Sequence, residues 1–560
     1  MRWLVKPKPD IEAVQALAKK LDISEVVAHL LVQRGITNFD VAKQFFRPDW
    51  HHLHDPFLMK DMDVAVDRLQ QAIDKNETIM VFGDYDVDGT SAVALLAHYL
   101  QRKKVEVISY IPDRYAEGYG LSQQGIDKAV SERVKLLFTL DCGIKSVDLI
   151  AYANQKGIDV IVCDHHNPGD ELPDAHAVLD PKRSDCNYPF DDLCGCGVVF
   201  KLIQAHASTL GIEVQELQPY LDLVATASAA DIVSIIDENR TLTYFGMQVY
   251  QQSPRPGLMA LLGERKQSAI SLTDLVFRVA PRINAAGRMK HGTYAVDLLL
   301  SESAEEATNR AEEIEGFNEN RKALDREITQ QALLQIEESE QTNNASTVVY
   351  DPNWHKGVIG IVASRLIETH YKPTVVFSRS GNVLTASARS VRGFDLYTAL
   401  SECQEYMIQF GGHKYAAGLT IRPEQYAGFC KRFEKVVSKL IQPEQKERTL
   451  LIDMEIPITE ITPKFFRIMN QMAPFGPGNM RPVLLSKGVK DRGYAKLVGS
   501  DKAHLKCSFV AGNQSIDAIG FGLGNALEVI QSSESDIAYV VDENEWNGNT
   551  SLQLNLKGVR

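Results

Sequence analysis

Between residues 61 and 245, short apolar runs alternate with amphipathic stretches, and several of the runs end in acids. "ETIMVFG" leads into "DYDVDG" and then the helical "TSAVALLAHYLQRK"; "VEVISYIP" leads into "SQQGIDKAVSE"; "VKLLFTLDCG" leads into "VDLIAYANQKG"; "IDVIVCDHH" and "HAVLDP" come next. Strands this continuously apolar are buried on both faces, and helical connections make neighbouring strands parallel. Open parallel sheets carry their sites at the C-terminal ends of the strands. Asp84, Asp86, Asp88, Asp141, Asp164, His165 and His166 all fall at such ends.

The rest of the chain divides around this α/β domain, assigned to residues 61–300. Residues 1–60 read as short helices, because "SEVVAHLLVQRGI" has helical periodicity and "FRPDW" punctuates the end. They have the character of a docking layer for the next domain. Residues 301–340 contain almost no helix breakers and predict one long connecting helix with charge on its wet faces. A second α/β domain spans 341–442. Residues 443–560 are rich in strand-like runs, which fit a small β-barrel of the oligonucleotide-binding type or a plain β domain. The expected fold class is therefore two α/β domains joined by a long helix, with a β-barrel at the C-terminal end.

The acids restrict the chemistry. Asp84 and Asp86 are two apart, so both point the same way from an extended strand tip, and Gly89 permits a sharp turn into the next helix. Three acids in five residues repel unless cations or basic groups intervene. A solvated acidic loop is the plain reading. A calcium hand does not fit, since a strand precedes the acids and no terminal Glu closes a twelve-residue pattern. Asp231 sits in the small-residue stretch "TASAADIVSI", where a buried acid needs a partner or a metal. Parallel strands can gather Asp84, Asp86, Asp141, His165 and Asp231. Oxygen ligands with one imidazole suit Mn²⁺ or Mg²⁺. A shared carboxylate can hold two such ions ~3.5–4 Å apart, the arrangement used in phosphoester hydrolysis.

Composition adds limits. The net charge of -13 over 560 residues argues against coating nucleic acid by bulk charge, though not against a local basic channel. Cys186, Cys194 and Cys196 lack paired zinc-ligand spacing. No apolar signal core or span of ~20 apolar residues is evident, which points to a reducing cytoplasm and no membrane.

"GDYDVDGTSA", "DCG", "DHH" and "ASAADIVSI" resemble the four motifs of the DHH phosphoesterase superfamily, and "GGHKYAAGLT" resembles the glycine-rich motif of its associated DHHA1 substrate-binding domain. "RGITNFDVAKQFFRPDWHHLHDP", "IPDRYAEGYGL", "RVAPRINAAGRM", "HKGVIGIVASRL", "SARS" and "APFGPGN" are similar to segments of the RecJ family of bacterial single-stranded-DNA-specific exonucleases. The resemblance spans nearly the whole chain. It implies that Asp84 is a first-metal ligand, Asp86 a second-metal ligand and Asp141 a bridge, with His165 and Asp231 completing the second site. It also implies that His166 helps hold phosphate or completes the site, that Asp164 orients a His from outside the ligand set, and that Asp88 supports the turn. Phe82 stands where many relatives have His, which puts first-ion affinity in question.

The same resemblance implies a strand path. Arg114, Arg282, Arg288, Arg389 and Arg392 are phosphate candidates, since guanidinium matches phosphate geometry. Tyr115 and Tyr119 can stack on bases or simply pack. Gly411 and Gly412 allow close backbone approach, and His413 can donate to phosphate. Lys496, Lys502 and Lys506 are candidates on the β-rich end. A cleft facing the metal domain is expected to admit one strand and reject a duplex. The implied activity is 5′ to 3′ hydrolysis of single-stranded DNA to mononucleotides in recombination and repair, with a helicase and a single-strand-binding protein as implied partners. The motifs alone also allow a hydrolase of short oligonucleotides or cyclic dinucleotides, or a nucleic-acid-binding protein with a dead site.

Overall fold

A computed structural model describes residues 1–263, 270–339, 341–532, 534–546 and 549–560. The chain forms two compact units. One contains Trp3–Ala280, Leu299–Ala304 and Leu450–Arg560; the other contains Pro281–Leu298 and Glu305–Thr449, with the first two residues. Both α/β domains, the long helix and the C-terminal β domain are present.

In the first unit a parallel five-stranded sheet has the spatial order Val107–Tyr110, Ile79–Gly83, Leu136–Leu140, Asp159–Cys163, Ala177–Leu179. Its central strands are fully buried, as expected for a sheet covered on both faces. The register brings the strand ends level. Gly83 pairs with Leu140, Leu140 with Cys163, and Cys163 with Leu179. The next residue on each strand is therefore an acid in one row: Asp84, Asp141, Asp164 and Asp180. Phe82 adds no ligand to this row. Its ring is buried, stacks on Tyr110 at 5.2 Å, and lies against Gly125.

The N-terminal helices Ile11–Leu21 and Glu25–Val32 find their apolar partner at the other end of the chain. Val14, Leu17, Leu30 and Leu31 share a core with Phe465, Phe466, Phe509 and Tyr539. The C-terminal domain is a seven-stranded sheet in the order Met454–Glu455, Leu484–Val489, Ser535–Trp546, Asn549–Val559, Gln514–Gly520, His504–Ala511, Lys496–Val498. Two of its pairings are parallel and the others antiparallel.

The second unit holds most of the 35-residue helix Ala304–Glu338. Its buried positions, among them Ala307, Ala311, Ile314, Ile328, Ala332 and Ile336, recur at steps of three and four and form one stripe. The last three pack against Val349, Val358 and Val362. A mixed sheet comes next, in the order Met407–Gly412, Ala416–Ile421, Val383–Arg389, Thr374–Ser380, Thr347–Tyr350, with only the last pair parallel. Among the described residues no helix is long and apolar enough to cross a membrane.

Candidate functional site

Local structure positions the candidate acids one by one. Asp86 caps the helix Val87–Gln101, its carboxylate accepting the Gly89 N–H at 3.0 Å. Gly89 permits this because the helix start presses on Asp84: a Cβ there would meet the Asp84 carbonyl oxygen at 2.4 Å. Asp141 leaves its strand in the left-handed region (φ 57), which turns its side chain out of the strand direction. Asp231 ends the helix Leu221–Ala230.

The turn-supporting role expected of Asp88 falls instead to Asp86. The Asp88 carboxylate is 2% exposed and accepts the N–H groups of Gly195 and Cys196 at 2.6 and 2.7 Å, at the start of the helix Gly195–Thr209. This fastens Asp88 inside the cluster and leaves it facing His165.

His165 is 6% exposed and directs Nε2 toward three carboxylate oxygens: Asp141 Oδ1 at 3.2 Å, Asp231 Oδ2 at 3.6 Å and Asp88 Oδ2 at 3.8 Å. None of these is a hydrogen bond, and both His165 Nε2 and Asp141 Oδ1 are buried without a hydrogen-bond partner. Asp88, His165 and Asp231 offer ligand atoms within 4.8 Å of one another, as do Asp141, His165 and His166. Asp84 and Asp86 belong to neither group among the described residues, although their charges reach Asp141. Hard oxygen donors around one imidazole fit a Mn²⁺ or Mg²⁺ pair. Unpaired buried polar atoms at this spacing are what a cation would satisfy.

The electrostatics agree. Burial, then the charge of Asp86, pushes Asp88 up to about 7. Burial, then Asp88 and Asp86, pushes Asp231 up to about 8. Asp84 and Asp141 are raised well above the usual carboxylate range, first by burial and then by neighbouring acids. Burial, then His166, lowers His165 to about 4, so its imidazole is neutral and able to ligate. Like charges this close are not all ionised unless a cation joins them.

Asp164 works behind this layer. It accepts the Ile144, His165 and His166 N–H groups and bonds His166 Nδ1 at 2.7 Å. Although burial opposes it, the His166 bond holds Asp164 below the usual range. His166 Nε2 in turn lies 3.3 Å from the Tyr119 hydroxyl, which donates to the Asp141 carbonyl at 3.2 Å. The Tyr119 ring is 55% exposed and meets Tyr85 edge to face, and Arg114 lies 4.5 Å over the Tyr85 ring. Arg114, Tyr85, Tyr119 and His166 thus make a cationic and aromatic rim. Tyr115 is half-buried in the turn whose N–H groups bond Asp113.

In the second unit, Arg389 and the glycine pair come together. Arg389 pairs with Ala416, and Gly412 with Ala417. Gly411, Gly412 and His413 form the exposed tip of this hairpin. Gly412 has φ +146, and a Cβ would strike the Ala416 carbonyl at 2.4 Å. Arg389 donates to Ser387 Oγ and the Ala388 carbonyl. Arg288 donates to the Gly357 carbonyl at 2.9 Å, Arg282 pairs with Glu315, and Arg392 is exposed.

On the C-terminal sheet Lys496 lies directly opposite Lys506 on the neighbouring strand, both exposed, and Lys502 is exposed nearby. Opposed like charges disfavour pairing unless an anion lies between them. Tyr494 and Phe521 are 67% and 62% exposed. Sequence reasoning missed these two rings, as well as Tyr85, Asp180 and Gly195. Tyr85 had a usable signal in its place between two motif acids.

Three family models match in chain order: the DHH family, N-terminal domain, over residues 78–228; the DHHA1 domain over 343–439; and the RecJ OB domain over 452–558. The single-stranded-DNA-specific exonuclease RecJ of Bacillus subtilis (strain 168) is 36% identical over 568 residues, covering 100% of this chain and 70% of that protein. The RecJ exonuclease of Salmonella typhimurium is 32% identical, with 97% of each chain covered. The crystal structure of RecJ in complex with Mn²⁺ from Thermus thermophilus superposes with a TM-score of 0.85 at 26% identity, covering 100% of this chain and 79% of that one. With its acid row, its domain order and these relatives, the chain belongs to the RecJ family of DHH proteins.

Proposed function

We propose that this protein is a metal-dependent exonuclease of single-stranded DNA. Asp84, Asp86, Asp88, Asp141, His165 and Asp231 would hold two divalent cations, Mn²⁺ or Mg²⁺, with Asp141 between them. The observation that carries this reading is His165 Nε2, buried, unbonded and facing three carboxylate oxygens at 3.2–3.8 Å. Such a cation pair supplies Lewis acidity toward the phosphodiester and lowers the pKa of an attacking water.

The chain's own side chains do the rest. Asp164 fixes the His166 ring, and His166 presents its Nε2 as a donor to a phosphate oxygen beside the Tyr119 ring. Arg114 adds charge at the rim and Tyr85 a ring face, which accepts any base. Arg389, Arg392, Gly412 and His413 supply a second phosphate-binding set. Lys496, Lys502 and Lys506, with Tyr494 and Phe521, track the backbone further along the strand. These contacts fix position without reading sequence. The family likeness supports 5′ to 3′ polarity, a place in recombination and repair in the cytoplasm, and supply of substrate by a helicase and a single-strand-binding protein.

The test is single-stranded DNA labelled at either end, incubated with Mn²⁺ and either wild type or Asp141→Ala. Mononucleotide release from the 5′ end is expected for wild type, with a fall of several orders of magnitude in the variant, because both ions lose a ligand. Equal digestion by Asp141→Ala would end the proposal.

A further inference from the structure

The segment just after Asp231 is fastened by a distant part of the chain. Ile235 is 1% exposed, and its N–H donates to the Pro477 carbonyl at 2.7 Å. Gly476 abuts the same side chain so closely that a Cβ there would stand 2.4 Å from Ile235 Cγ1. Gly478 likewise presses on Ile236, where a Cβ would stand 2.9 Å from Cγ2.

The loop Ala473–Asn479 is itself rigidly held. The Arg240 guanidinium, 5% exposed, donates to the carbonyls of Met472, Ala473 and Pro474. Asn479 Nδ2 donates to Met472 and Pro474, and Arg34 Nε donates to Asn479 Oδ1 at 3.2 Å.

On the other side, the segment leaving Asp231 takes an unfavourable path. Ile232 (φ 63) and Asp237 (φ 47) are both left-handed. A β-branched residue rarely adopts that conformation, so the surroundings impose it. Ile232 is 67% exposed and cannot be held by its own packing. Inside the segment, the Ser234 N–H bonds Asp192 Oδ2 at 2.9 Å, and Ile235 bonds Pro477.

We infer that the Ala473–Asn479 loop of the C-terminal domain is a positioning element of the metal centre: by seating Ile235 against Gly476 and Pro477, it sets where Asp231 stands. This rests on the reading of Asp231 as a cation ligand. The C-terminal domain therefore completes the cation site as well as extending the strand path.

The test measures Mn²⁺ binding to DNA-free protein by calorimetry and by the electron paramagnetic resonance signal of free Mn²⁺. Gly476→Ala is expected to weaken binding about tenfold, the scale of losses on disturbing groups that orient ligands. Affinity for single-stranded DNA in EDTA is expected to stay at the wild-type value. Adding Ile235→Ala, which makes room for the new methyl, is expected to restore most of the Mn²⁺ affinity. Wild-type Mn²⁺ binding by Gly476→Ala, or a folded double variant that does not recover, overturns the inference.

Should Gly476→Ala fail to fold, Ile235→Val thins the same contact. It is expected to raise the half-saturating Mn²⁺ concentration several-fold, and an unchanged value overturns the inference. Asp231→Asn separates the two levels. Wild-type Mn²⁺ binding in that variant removes the ligand reading and the clamp with it; lost binding there, with wild-type binding in Gly476→Ala, removes the clamp alone.

Discussion

Gly195 approaches Asp141 so closely that a Cβ on the glycine would lie 2.7 Å from Asp141 Cβ and 3.0 Å from Oδ1. The same glycine N–H holds Asp88 at 2.6 Å. One backbone position thus places two of the candidate ligands. Gly195→Ala should shift Asp141 by a fraction of an ångström to an ångström. A displacement of that order costs about 10²-fold in turnover. Nuclease assays at saturating Mn²⁺ against thermal melting check this: activity should fall far more than stability.

Asp88→Asn tests whether Asp88 ligates as well as braces. An amide can accept only one of the two N–H groups that the carboxylate now accepts, so its nitrogen would face a donor. That mismatch should lower stability by about 1–3 kcal/mol. Activity should fall by a much larger factor than this loss accounts for, because the oxygen facing His165 and Asp231 is also altered. A variant that melts lower but digests DNA at the wild-type rate would confine Asp88 to bracing.

Cation binding should be strongly pH-dependent. Asp88 and Asp231 are pushed up to about 7 and about 8 in the cation-free protein. A cation needs both ionised, so binding must expel the protons they carry. Mn²⁺ affinity should rise as pH increases through that window and fall as it drops below it. Calorimetry in buffers of different ionisation enthalpy should register proton release near neutral pH.

The paired lysines make a separate prediction for long strands. Replacing both Lys496 and Lys506 with Ala should reduce the steepness of the salt dependence of single-stranded DNA binding by about 1.4, since each phosphate contact contributes about 0.7 on single strands. Tyr494→Ala or Phe521→Ala should weaken binding by about 1–3 kcal/mol for each stacked base lost. Cleavage of very short oligonucleotides should be unaffected by either change.

The parallel sheet and its acids were legible because strand length, burial and acid position repeat together. Asp84, Asp141 and Asp164 share a row because each comes directly after its strand's last paired residue, a property visible as "FGD", "TLD" and "VCD". The division of labour between Asp86 and Asp88 was not legible. Both sit in one short motif, and what separates them is the helix beginning at Gly195, over a hundred residues away. Gly195 itself looked like one small residue in a cysteine-rich turn. The pairing of N-terminal helices with the C-terminal sheet was equally hidden, because an apolar stripe does not name its partner. Tyr494 and Phe521 escaped for the opposite reason: an aromatic in a strand-rich region is usually core, and only the folded surface shows these two facing water.

That shared core ties together two segments that lie far apart in the sequence. Val14 and Leu17 meet Leu554 and Leu556 in one apolar cluster. During synthesis at ~5–20 residues per second, the helices Ile11–Leu21 and Glu25–Val32 emerge with their apolar faces bare and wait on the order of a minute for the strand Asn549–Val559. Those helix faces therefore stay uncovered until the strands that close the core have been made, and a product terminated before those strands leaves them open to aggregation or to capture by chaperones.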